Sequence, residues 1–71
     1  MAATAKVGET VQLWRPDVAV PRWWAGWVFD IDENDIAVIC FPAGDGLQSI
    51  SGVPKAVLGD SDSSFKWRSL V

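Results

Sequence analysis

The chain has 71 residues, a single cysteine (Cys40), no histidine and a formal net charge of −3 with a pI near 4.5. That inventory excludes an intrachain disulfide, a thiolate-rich zinc site and a histidine general base, and it disfavours long-range attraction to a phosphate backbone or an anionic membrane. A chain of this length makes one domain and buries only about 60% of the surface that its unfolded form exposes, so help from an aromatic core or from self-association is expected.

Met1 to Ala5 is small and polar and reads as a frayed tail, with the domain spanning residues 6–71. From Thr10 to Trp14, Val11 and Leu13 alternate with Gln12 and Trp14, the period of a first strand. Arg15 to Arg22 holds Pro16, Asp17 and Pro21 and is a loop, because two prolines in so short a span exclude a regular ladder. In Trp23 to Ile31 the apolar set Ala25, Trp27, Phe29 and Ile31 recurs at every second position, again strand period. Asp32, Glu33 and Asn34 make a turn into Asp35 to Phe41. There Ile36, Val38 and Cys40 point one way and Ala37, Ile39 and Phe41 the other, so both faces are apolar.

Pro42 to Gly46 is turn chemistry and precedes a short fourth strand, Leu47 to Ser51. Gly52 to Pro54 closes it with a tight turn into Lys55 to Leu58. Gly59 to Ser64 is a polar loop, and Phe65 to Arg68 is a short last strand. Five short strands separated by turns predict an all-β fold, a small five-stranded barrel. Its expected core is Val11, Leu13, Val28 or its neighbours Trp27 and Phe29, Ile36, Val38, Cys40, Ile50 and Val53. No stretch reaches the roughly 18 apolar residues of a membrane span, and the start lacks a signal-peptide pattern, so a cytoplasmic location is expected.

The stretch Ile36 to Ala56, IAVICFPAGDGLQSISGVPKA, carries a β-branched strand into a Gly44-Asp45-Gly46 turn and a short strand ending at Gly52, Val53 and Pro54. With Trp67 in the last strand, this arrangement resembles small accessory proteins of tailed bacteriophages and prophages. The resemblance implies an SH3-like barrel of phage origin, working in the host cytoplasm, and brings no chemistry with it. Ala37 and Ile39 stand where that group usually has polar residues, which makes the second face of the third strand stickier.

The acidic turn Asp30, Asp32, Asn34, Asp35 begins like a calcium loop but has Asp35 at the glycine position and Phe41 where a bidentate glutamate is needed. It reads as a solvated turn. No metal or cofactor is expected. Serines lack an activating histidine, and Cys40 sits in an apolar strand as inert packing, so no catalytic residue is assigned.

The informative feature is five tryptophans, Trp14, Trp23, Trp24, Trp27 and Trp67. Adjacent Trp23 and Trp24 must point to opposite faces of a strand, and Trp14 belongs on the outer face of the first. Cations accompany them in Trp14-Arg15, Arg22-Trp23-Trp24 and Lys66-Trp67-Arg68. Trp14, Arg15, Arg22, Trp23, Trp24, Lys66 and Arg68 are therefore the candidate binding set, suited to a host protein or a small nucleotide.

Ile39 and Phe41, read as an uncovered outer face, are the candidate homo-oligomer interface. The function expected is a non-enzymatic accessory binding protein that counters a host defence. The alternatives are a virion component and a pore-type enzyme built by a symmetric oligomer.

Overall fold

A computed structural model of the chain describes residues 4–57 and 64–70. It is all-β: β1 (Thr10–Arg15), β2 (Arg22–Ile31), β3 (Ala37–Ala43), β4 (Gly46–Val53) and β5 (Lys66–Ser69) form one antiparallel sheet in the order β4-β3-β2-β1-β5. The last strand thus returns beside the first. After β4, the Ala56 N–H donates to the Trp67 carbonyl (2.7 Å) and the Trp67 N–H to the Pro54 carbonyl (3.0 Å), a parallel bridge that draws the chain leaving β4 onto β5. No ladder joins β4 to β5 among the described residues.

The core is Val11 and Leu13 of β1, Val28 of β2, Ala37, Ile39 and Phe41 of β3, Val53 of β4 and Trp67 of β5, with Ala5 from the entering chain. Two registers of the sequence reading are reversed. On β3 the inward face is Ala37, Ile39 and Phe41, while Val38 and Cys40 are half-buried on the outer face and Ile36 is exposed. Ile39 and Phe41 are fully buried inside one copy, so the expected oligomer interface on them is corrected.

The reason is pairing. Val28 stands opposite Ile39, and both lie on the side where Val11 and Leu13 already point. On β2 the inward residues are Gly26 and Val28, not Ala25 and Phe29, which are exposed. Gly26 is required there. A Cβ at this position would lie 2.8 Å from the Cys40 carbonyl oxygen and 3.0 Å from Ile39 Cγ2. A register shift between Val28 and Asp30 then changes the phase of β2, which is how Ile31 packs against the core although it shares sequence parity with exposed Phe29.

The domain starts earlier than residue 6. The Thr4 N–H and hydroxyl both donate to Asp35 Oδ1 (2.8 and 2.9 Å), and Lys55 Nζ donates to Thr4 Oγ1 (3.1 Å). Asp35 adopts φ 64°, which turns its carbonyl to accept from Trp67 Nε1 at 2.9 Å. One turn therefore fastens the N-terminal segment, the β2–β3 connection and the largest core side chain. The expected tail over residues 1–3 and most of the expected Gly59–Ser64 loop lie outside the described residues.

Candidate functional site

Strand alternation divides the candidate binding residues between the two faces of the sheet. Trp14 and Trp23 are direct cross-strand partners on the outer face, their rings edge to face with centroids 5.5 Å apart at 60°. Arg68 reaches them from β5. Its guanidinium carbon lies 3.9 Å from the Trp23 ring centroid, and its Nε donates to Gln12 Oε1 at 2.6 Å.

Gln12 escaped the sequence reading, although it sits two residues before Trp14 and so on the same face. The two flexible side chains of the group, Arg68 and Gln12, are thereby held across β5 and β1 against the ring of Trp23 on β2. An apolar strip continues from them along β2 through Ala25 and half-buried Trp27 to Phe29, which is 64% exposed. Half-buried Cys40 stands opposite Trp27, and exposed Leu47 opposite Pro42, so the strip extends over β3 and β4.

Arg15, Arg22 and Trp24 lie on the other face, toward one end of the core. The Trp24 ring has the guanidinium of Arg15 at 5.0 Å and that of Arg22 at 4.6 Å, and Arg15 also lies 4.5 Å from the Phe41 ring. Arg15 is only 8% exposed and is neutralised by Asp17 through two bonds, Nε to Oδ1 (3.2 Å) and Nη2 to Oδ2 (2.8 Å). Those bonds hold the Asp17 carboxyl below the usual carboxylate range. Arg15 thus closes the end of the core and offers little to a ligand. Arg22 is exposed, with no carboxylate partner among the described residues. Lys66, another member of the predicted set, is buried and engaged, so it too is removed from the free surface.

The acidic turn spends its carboxylates on the chain itself. Asp32 Oδ1 accepts the N–H groups of Asn34 (2.8 Å) and Ile36 (3.0 Å), and Asp30 Oδ1 accepts that of Ile31 (2.9 Å). Asp35 is held below its ordinary pKa chiefly by the Thr4 N–H, then by the Thr4 hydroxyl and the charge of Lys55. Two indole N–H groups, Trp14 Nε1 and Trp24 Nε1, are shielded from solvent and have no acceptor among the described residues.

No family model matches the chain, and no curated protein or solved structure matches it either.

Proposed function

We propose that this chain is a non-enzymatic binding module of phage origin that docks a host protein on the outer face of its sheet. The single observation carrying this reading is the cluster of Trp14, Trp23 and Arg68 beside Trp27 and Phe29. It is an aromatic surface capped by an ordered cation, held rigid by the edge-to-face ring pair and the Gln12 hydrogen bond. Protein-protein hot spots are enriched in Trp and Arg because large, stiff side chains bury much area for little conformational entropy. Pre-ordering the Arg68 guanidinium lowers that entropy cost further. The phage setting and a counter-defence role rest on the resemblance carried by Ile36 to Ala56 and by Trp67.

A second reading has its own observation. Arg22 lies exposed on Trp24 with no carboxylate partner among the described residues, an arrangement suited to the phosphate and base of a small nucleotide.

Comparative capture from host-cell extract separates the two. A partner protein retained by the native chain and by Arg22→Ala, and lost with the double substitution Trp23→Ala and Arg68→Ala, supports the outer face. A nucleotide that raises the melting temperature of the native chain but not of Arg22→Ala, with no protein partner, supports the second reading.

A further inference from the structure

The free edge of β4 carries an inference independent of the outer-face reading. Gly46 to Val53 is the longest uncovered edge in the sheet order: β4 pairs with β3 on one side, and nothing pairs with its other side among the described residues. The ladder itself says which groups are left over. Pro42, opposite Leu47, has no N–H, so that pair is the widely spaced, non-hydrogen-bonded kind. By alternation Phe41–Gln48 and Ile39–Ile50 are the hydrogen-bonded pairs. The N–H and carbonyl groups of Leu47, Ser49 and Ser51 therefore point away from β3, toward solvent.

Soluble proteins protect such an edge with charge, with proline or with a bulge across its middle. Here Gly46 to Ser51 holds no charged residue and no proline, and the positive-φ glycine that breaks the register, Gly52, lies at the far end. The flanking charges, Asp45 and Lys55, stand outside the run, and Lys55 is already committed to Thr4 and to the Trp67 ring.

We infer that β4 pairs antiparallel with β4 of a second copy of this chain, about a two-fold axis at Ser49, making one continuous ten-stranded sheet. In that register Leu47 faces Ser51 of the partner subunit, Ser49 faces Ser49 of the partner subunit, and Ser51 faces Leu47 of the partner subunit. Each of these three narrow pairs exchanges two main-chain hydrogen bonds, so all the outward groups of Leu47, Ser49 and Ser51 are satisfied. On the other side of the strand, Gln48 faces Ile50 of the partner subunit. Every cross-strand pair the axis generates is neutral, so like charges never oppose one another.

A second copy fits this edge because the run Gly46 to Ser51 brings neither a charge nor a proline to the axis from either strand, so neither subunit obstructs the other's outward groups. Dimerisation would also cover part of Leu47, 66% exposed in one copy, and add the stabilisation that a 71-residue chain lacks.

The test is sedimentation velocity on the full chain at tens of micromolar, with circular dichroism to verify the fold. The native chain is expected to sediment as a dimer. Ser49→Lys, at an exposed position, should give a folded monomer because it sets two ammonium groups opposite each other. Mixing Ser49→Lys with Ser49→Glu should restore a dimer, since the axis now pairs opposite charges. A native monomer would overturn the inference, as would a Ser49→Lys chain that associates like the native one or a mixture that stays monomeric. Trp23→Ala should leave the dimer intact, which keeps this result separate from the fate of the outer-face reading.

Discussion

Replacing Ile39 and Val38 separately by alanine asks which face of β3 is the core. Ile39 is fully buried, stands opposite Val28 on one side and Ile50 on the other, and touches the position where Gly26 lacks a Cβ. Truncating an aliphatic side chain at such a site removes its transfer free energy and leaves a cavity, together about 2–5 kcal/mol. The whole domain has about 4–11 kcal/mol if it follows the per-residue average. A loss of about 3 kcal/mol lowers the melting temperature by roughly 12–24 °C in a chain of this size.

Val38 is half-buried on the outer face, so Val38→Ala should cost under about 1 kcal/mol. Thermal melts followed by circular dichroism give both numbers. Ile39→Lys should fail to fold, because it places an ammonium group in the sealed core. A Val38→Ala penalty equal to or larger than that of Ile39→Ala would refute the register of β3 and with it the assignment of the outer face.

Further outcomes follow from the same geometry. Gly26→Ala forces a Cβ against the Cys40 carbonyl and should cost about 1–3 kcal/mol in denaturant melts, whereas Gly46→Ala, with open space around it, should stay within about 0.5 kcal/mol of the native chain. Asp35 and Asp17 have folded-state pKa values below the ordinary one. Their stabilisation is therefore fully present above the unfolded pKa of about 3.9 and is lost as pH falls through the folded values. Asp35→Asn, which tolerates the positive φ, should remove part of the acid-side fall in melting temperature, and an unchanged pH profile would show that the Thr4 contacts do not form in solution.

How much of this was legible in the sequence depended on contrast between faces. β1 was readable because Val11 and Leu13 alternate with Gln12, and the opposite orientations of Trp23 and Trp24 followed from their adjacency. The inward face of β3 was not readable, since Ala37, Ile39 and Phe41 are no less apolar than Ile36, Val38 and Cys40, and period two cannot choose between equals. β2 misled because its bulkier set, Ala25, Trp27 and Phe29, faces out while Gly26 and Val28 face in. The cause is a steric one: the backbone of β3 comes too close at Gly26 for any side chain. The register shift after Val28 leaves no mark in the local pattern either.

At the candidate site the residue types were legible and their grouping was not. Arg15 was read as a binding residue and Asp17 as part of a loop, and only the fold reveals that they pair to close the core on Phe41 and Trp24 while Arg68 and Gln12 brace the opposite face.

Oxidative footprinting of the complex with whatever host protein the native chain captures tests the outer-face claim most directly. The account predicts that binding protects Trp23, Trp27 and Phe29 and leaves Trp24 and exposed Val20 as reactive as in the free chain. Protection centred on Trp24, with Trp23, Trp27 and Phe29 unchanged, would contradict it.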